Sequence, residues 1–503
     1  MIFNRTFHPD EANQAFTTGR LLETGMYRYN PADHHGPTLY YAAAAIQKAA
    51  GCNTTASLDA ALLRTTPLLF ALLSLVFIFL SFKKILGKRQ NSLKLSLLPV
   101  LLTATAPVFV FFATDFIQEM LLLGFTSMML WAMIGYSSSR KSKTKVKPGS
   151  WMLFLGISAG MAFATKETAI LSFAALLASV SAILFSLHGG KENETALSAR
   201  PDPSHILLAA SGFLLTATLF YSSFASNWQG VYDAFAAAPL SYVRRAMGSS
   251  ASDGASYHIH PWYQYSIWLF KSNVCFSLFA ATGILAGISA LKKLGQSPEK
   301  PLISLQTAFK ALSIYTVALT ALYSLIPYKT PWCALQIYVP LLLSAFAGLA
   351  IFSFKSKIGK IALIALCTLL LAENSVKLAK LWSDPDSKSI PYNYASASPE
   401  VKEMANLIRR LVASNETNAK NFIAVAIPSE DTWPLPFYLR DLDANIGYWT
   451  RFEELEVLAA LKRKPDIVIV PAEDGHKIQP LFPHLKNTKR FEMRHRVRMR
   501  VFW

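Results

Sequence analysis

Apolar residues in this chain come in blocks of around twenty, separated by short polar loops. A helix of that length crosses the ~30 Å hydrocarbon layer of a bilayer. Of 503 residues, 52% are hydrophobic and 16% are charged, against about a quarter charged in a soluble domain. The pattern dictates a polytopic α-helical membrane protein. About ten spans are predicted, near residues 60–82, 95–113, 116–136, 151–166, 170–188, 205–225, 262–290, 306–326, 332–353 and 361–379. Residues 37–50 are too short and too Ala-rich to span, and are expected to form an interfacial helix.

The net charge of +18 does not argue for nucleic acid. Many of the excess cations lie in short loops between apolar blocks, as in Lys83, Lys84, Lys88, Arg89 and Lys94, or Arg140, Lys141, Lys143, Lys145 and Lys147. There they set topology, and the positive-inside rule makes those loops cytoplasmic. The same register puts 1–59, 114–115, 166–169, 226–261, 327–331 and everything after 380 on the outer side. The expected localisation is the plasma (inner) membrane. Cys52, Cys275, Cys333 and Cys367 show neither metal-ligand spacing nor a disulfide framework.

Three regions follow: an outer loop with its interfacial helix (1–59), a helical membrane domain (60–380) and a soluble outer α/β domain (381–503). In the last, Pro399 opens a helix with Val401, Met404, Ile408, Leu411 and Val412 on one face. Short β runs at Phe422–Ile427, Ile446–Trp449 and Ile467–Val470 follow, with a helix over Phe452–Leu461. A terminal strand alternates strictly, Phe491 to Trp503 facing one way and Arg490 to Arg500 the other. That arginine row reads as a solvated sheet face, with anionic lipid head groups as the alternative.

The ionisable residues of interest all fall on the expected outer side. They are Asp10 and Glu11; His34 and His35; Asp115 and Glu119; Lys166 and Glu167; Arg244 and Arg245; His258 and His260; and Lys329 beside Trp332. Ionisable groups at membrane depth are expensive and usually functional. Asp115 and Glu119 are four apart, so a helix there places both carboxylates on one face. A helix cap, a neutralising pair or a snorkelling lysine is the plainer account of several of these.

Three runs carry a resemblance: His8-Pro9-Asp10-Glu11-Ala12, then Leu21-Leu22-Glu23-Thr24-Gly25, then His35-Gly36-Pro37-Thr38-Leu39-Tyr40-Tyr41. Together they resemble the first outer loop of GT-C glycosyltransferases, in the protein O-mannosyltransferase and aminoarabinose-transferase group (glycosyltransferase family 39-like). Ala164-Thr165-Lys166-Glu167-Thr168, Tyr328-Lys329-Thr330-Pro331-Trp332 and Trp433-Pro434-Leu435-Pro436-Phe437-Tyr438-Leu439-Arg440 resemble its flippase-associated membrane protein branch.

The resemblance implies a hexosyltransferase-type enzyme of cell-envelope or protein glycosylation. It would move a sugar from a polyprenyl-phosphate-linked donor to an acceptor hydroxyl on a protein, lipid or glycan, with inversion, at the extracytoplasmic face. Asp10 matches the family's catalytic base, and either Asp115 or Glu119 the acid of the second outer loop; Glu11 completes the catalytic set. Lys329 is the cation expected at the lipid phosphate, with Arg244, Arg245 and Lys166 behind it and His35, Glu167 and Trp332 as further substrate contacts. No cofactor is required. A divalent metal is the option left open by Asp10, Glu11, His34, His35, Asp115 and Glu119. Only nine residues precede Asp10, where family members carry a spanning helix, so the expectation is either a true start further upstream or a lost first helix. The competing readings are a lipid-linked sugar transporter or flippase, and a non-catalytic partner of a glycan-assembly complex.

Overall fold

The structure is a computed structural model whose described residues are 5–31, 35–87, 91–141, 146–188, 201–246, 258–293, 305–353, 357–387, 390–394, 396–414, 421–442, 444–494 and 497–503. Two helices, α1 (Pro9–Thr24) and α2 (Thr38–Ala49), precede α3 (Ala60–Leu86). α2 falls where the helix over 37–50 was expected. α1 was not foreseen, although its signals are in the sequence: Pro9 at its first position and a capping box between His8 and Glu11.

The longer helices that follow are α4 (Ser92–Ala104), α5 (Pro107–Ala113), α6 (Glu119–Lys141), α7 (Pro148–Phe163), α8 (Ala169–His188), α9 (Pro203–Tyr221) and α10 (Ala238–Ala246). Then come α11 (Gln264–Ser272), α12 (Val274–Lys293), α13 (Leu305–Leu325), α14 (Ala334–Ser353) and α15 (Lys357–Ser383).

The chain is an integral membrane protein, but the figure of ten spans is corrected. Among the described residues, seven helices are long and apolar enough to cross a membrane, or eight if the bent pair α4–α5 counts as one. The two that fall short are α7 and the described apolar stretch of α8, Ala169–Phe185. At 16 residues, α7 is only about 24 Å long. A hydropathy reading sees composition and not where a helix stops; here the polar turn 164–168 interrupts two apolar runs. The expected span 95–113 bends by 69°. Pro107 opens α5 after an extended Ala106, and a proline has no N–H to continue the ladder of the helix before it. The expected span 262–290 likewise breaks at Asn273, whose backbone is extended (φ −161°, ψ 108°).

The centre of the bundle is the Pro331–Ser353 segment containing α14, with 89% of its apolar window buried. α12 and α13 pack on it, and α13 also meets α8. A helix apolar on all sides belongs in such a core. On the other flank α7 packs against α9 and α6. α7 and α9 approach backbone to backbone: a Cβ at Gly156 would lie 2.0 Å from the Ala209 carbonyl oxygen. Small residues permit that approach, and in lipid such close packing replaces the missing hydrophobic drive.

The C-terminal domain is β-rich. Its sheet has the order β2-β1-β3-β5-β4, with β1 (Phe422–Ala426), β2 (Asn445–Trp449), β3 (Ile467–Pro471), β4 (Thr488–Arg494) and β5 (Val497–Phe502). β1 pairs in parallel with β2 and β3, while β5 runs antiparallel to β3 and β4. The expected single terminal strand is therefore a hairpin. The inward side chains keep their alternation across it: Phe491, Met493, Met499 and Val501 all face α16 (Glu400–Ala413) through Val401, Met404 and Ile408. The opposite face packs Ala424, Val468, Val470 and Phe502 against Phe452, Leu455 and Phe482. Helices thus cover both faces, as parallel pairing requires.

Gly156→Leu should lower the melting temperature of the purified protein. Forcing a side chain into a backbone contact costs ~1–3 kcal/mol or more. An unchanged melting temperature would mean that α7 and α9 can part freely.

Candidate active site

Loops expected on one side of the membrane meet at one end of the bundle. Arg5 reaches Asp115, Thr38 N–H donates to the Ala164 carbonyl at 3.1 Å, and Lys329 N–H donates to the His258 carbonyl at 2.8 Å. The junction is built on Glu11. Its Oε1 accepts from Arg64 Nε at 2.8 Å and from Phe116 N–H at 2.9 Å. Its Oε2 accepts from Arg64 Nη2 at 2.6 Å and from His8 N–H at 3.0 Å. Glu11 and Arg64 are both fully buried. Arg64 also donates to the Arg5 carbonyl at 2.9 Å and stacks on Phe7. Burial works to raise the Glu11 pKa, but Arg64, Arg5 and the Phe116 N–H hold it down at about 2. Both oxygens of Glu11 are therefore committed to joining α1, α3 and the turn before α6.

Asp115 sits in that turn. The expectation that Asp115 and Glu119 share a helical face is corrected, because residues 114–118 are not helical. Glu11 takes the Phe116 N–H, and a backbone so engaged cannot run as a regular helix. Asp115 Oδ1 accepts from Arg5 Nη2 at 2.7 Å, whereas Glu119 opens α6 and pairs with Lys166. Burial and the Glu11 charge raise the Asp115 pKa to about 8. Burial tends to lower the Lys166 pKa, but Glu119 carries it above the ordinary lysine range.

Beside Asp115 opens a narrow cleft lined by Arg5, Thr6, His8, Asp10, Phe111, Asp115, Ile117, Trp332, Tyr392, Asn393, Tyr394 and Ser396. Asp10 is the exposed carboxylate of this wall, with 47% of its side chain open. The His8 ring lies 3.7 Å from its carboxylate. His8 Nδ1 accepts from the Asp10 N–H at 3.1 Å, and Nε2 lies 2.9 Å from the Tyr394 carbonyl. A carbonyl only accepts, so Nε2 is the donor of that bond.

Asp10, Asp115 and Trp332 thus come together in the cleft. Lys329 lies in the turn leading to Trp332 and is 1% exposed, with Nζ donating to the Ile326 and His260 carbonyls. His35 and Glu167 form their own pair at 2.8 Å, joined by Tyr29 at 2.9 Å. A Cβ at Gly36 would lie 2.2 Å from the Ala164 carbonyl oxygen, so glycine there lets His35 reach Glu167. Of the six residues named as possible metal donors, Glu11, Glu119 and His35 are each taken up by these separate pairs. Among the described residues, no three His, Cys, Asp or Glu side chains gather as metal ligands. Arg244 and Arg245 fall in α10, and their side chains lie outside the described residues, as does His34.

Sequence reasoning missed Arg5, Arg64, Tyr392 and Tyr394 as site residues. Arg64 had a signal, being a charge within an apolar block. Tyr392 and Tyr394 stand in a polar, Pro-containing stretch whose sequence carries no pattern that marks a site.

A family model described as dolichyl-phosphate-mannose-protein mannosyltransferase matches residues 34–196. The fold resembles that of ArnT from Cupriavidus metallidurans bound to undecaprenyl phosphate, at a TM-score of 0.60 and 12% identity, covering 99% of this chain and 94% of that one. It also resembles the Archaeoglobus fulgidus oligosaccharyltransferase tethered with an acceptor peptide, at a TM-score of 0.54 and 11% identity, covering 93% and 66%. The fold is GT-C-like. No curated protein matches the chain by sequence.

Arg64→Met should destabilise the protein by ~3–5 kcal/mol by stranding a buried carboxylate. The pair also has a pH signature. Glu11 is held below its unfolded value of 4.5, so its contribution is complete above that pH and is lost as pH falls toward about 2. Acid unfolding curves that superimpose for wild type and Arg64→Met/Glu11→Met would remove Glu11 as the cause.

Proposed function

We propose that the chain is a membrane glycosyltransferase that moves a sugar from a polyprenyl-phosphate-linked donor to an acceptor hydroxyl. The observation that carries this reading is Asp10. Among the described acids of the cleft wall, it is the one without an arginine or lysine partner, and it stands at the open mouth. Asp115 is instead buried and held by Arg5 at 2.7 Å, so it is less open to an acceptor hydroxyl than Asp10.

In the proposed reaction Asp10 takes the proton of the acceptor hydroxyl. The freed oxygen bonds to the anomeric carbon as the bond from that carbon to the phosphate oxygen breaks. The lipid phosphate leaves with the electron pair. A single displacement of this kind inverts the anomeric centre. Phe111, Trp332, Tyr392 and Tyr394 line the same cleft, and aromatic faces beside polar groups suit a sugar ring. The GT-C-like fold supports the donor class, since ArnT of the same fold is known bound to undecaprenyl phosphate.

The site and the β-rich domain face the extracytoplasmic side in this reading, because the loops richest in Lys and Arg lie between the other helix ends. The gathering of ionisable groups at one end also favours surface chemistry over a pathway through the bundle. The scheme uses no metal. Loss of transfer on chelation, restored by a divalent cation, would overturn that part.

Asp10→Asn should lower sugar transfer from a polyprenyl-phosphate-linked donor by ~10²–10⁴-fold, the usual contribution of a positioned base. Expression and melting temperature should stay normal. The assay is transfer of labelled sugar in membranes, and undiminished transfer by this variant would end the enzyme reading as stated.

A further inference from the structure

Arg5 is 3% exposed, yet its Nη1 has no hydrogen-bond partner. Its Nη2 serves Asp115 at 2.7 Å, with Glu11 at 3.8 Å. Phe111 covers one face of the guanidinium at 4.1 Å. The side chain borders the same cleft as Asp10. A buried guanidinium N–H without an acceptor is costly, and such groups call for an explanation.

The other cations near the cleft have their donors in use. Arg64 serves both Glu11 oxygens and the carbonyls of Arg5 and Thr6. Lys166 is paired with Glu119, and the Lys329 ammonium is turned onto two carbonyls. A planar guanidinium, held on one side by a carboxylate and flanked by a ring, keeps the other edge for a second oxyanion. Arginine is suited to phosphate because its forked donors match the spacing of phosphate oxygens.

We propose that Arg5 is the phosphate-binding residue of the cleft, receiving through Nη1 an oxygen of a lipid phosphate ester whose sugar lies toward Asp10. This rests on the donor class proposed above but reads a different property of the site. Lys329, expected from sequence to hold the phosphate, then becomes a prop of the turn carrying Trp332.

The test is calorimetric titration of the full chain in detergent with farnesyl phosphate, with farnesol and inorganic phosphate as separate arms. Two variants are used, Arg5→Lys and Arg5→Gln/Asp115→Asn, which removes both members of the pair, each checked for a wild-type melting curve. The wild type should prefer farnesyl phosphate to farnesol. Arg5→Lys should weaken farnesyl phosphate by about tenfold or more, as expected for a lost charge-assisted bond. The double variant should bind farnesyl phosphate no better than farnesol. Inorganic phosphate bound as tightly as farnesyl phosphate, and lost in both variants, would keep Arg5 as the receptor and make free phosphate its ligand. Wild-type affinity for farnesyl phosphate in either folded variant would overturn the proposal, as would equal binding of farnesol and farnesyl phosphate by wild type. Phosphate binding through Arg5 in a chain that transfers no sugar would leave this inference standing while the enzyme reading failed.

Discussion

Glu11 and Arg64 are fully buried and joined by two charge-assisted hydrogen bonds, and the arrangement of the cleft depends on them. Burying two such charges is expensive and is repaid only where every donor and acceptor is met. Here that condition is largely fulfilled by backbone. Glu11 takes the N–H groups of His8 and Phe116, and Arg64 gives to the carbonyl of Arg5. Three segments far apart in the chain are fixed by one pair. Because Asp10 precedes Glu11 in the first turn of α1, the pair also sets where Asp10 stands. The acid next to the strut is left in the open, and the division of labour within Asp10-Glu11 follows from burial alone.

The β-rich domain is part of the same construction. Thr6 N–H donates to Asp386 at 3.1 Å, and Phe7 N–H to the Tyr438 hydroxyl at 2.9 Å. Phe7 stacks on Phe437 with centroids 4.3 Å apart, and Arg440 donates to the Leu58 carbonyl. The segment joining α15 to the sheet supplies Tyr392, Asn393, Tyr394 and Ser396 to the cleft. This polar, Pro-containing stretch is a wall of the cleft. The Tyr394 carbonyl holds His8, and His8 caps α1, so the domain's attachment bears on the orientation of Asp10.

Elements defined by local pattern were legible in the sequence. The strands Phe422–Ala426 and Ile467–Pro471 announce themselves as short β-branched runs between polar turns. α16 shows its apolar stripe, and α2 its length. What failed were features decided by partners distant in sequence. The spacing of Asp115 and Glu119 implied a shared face only if the backbone between them were helical, and a carboxylate 105 residues away claims one of its N–H groups. The lone charge in an apolar block marked Arg64 as unusual without naming Glu11. The count of spans erred because composition does not say where a helix is cut, as α7 and the Asn273 break demonstrate.

A charge count around the cleft separates the roles further. Arg5 and Arg64 supply two positive charges, and Glu11, Asp115 and Asp10 supply up to three negative ones. With the Glu11 pKa held down and the Asp115 pKa raised, the balance of the buried cluster of four is tilted toward positive charge. Asp10, outside it and half exposed, faces that excess. In the proposed reaction an anionic phosphate arriving at Arg5 meets this positive surplus, and an uncharged hydroxyl arriving at Asp10 meets a base. Full ionisation of Asp115 would cancel the surplus, so phosphate affinity and the proton on Asp115 are linked: whatever binds an anion at Arg5 favours the protonated carboxyl beside it. The same burial that makes the pair of arginines costly to assemble is therefore what gives the cleft its electrostatic sign.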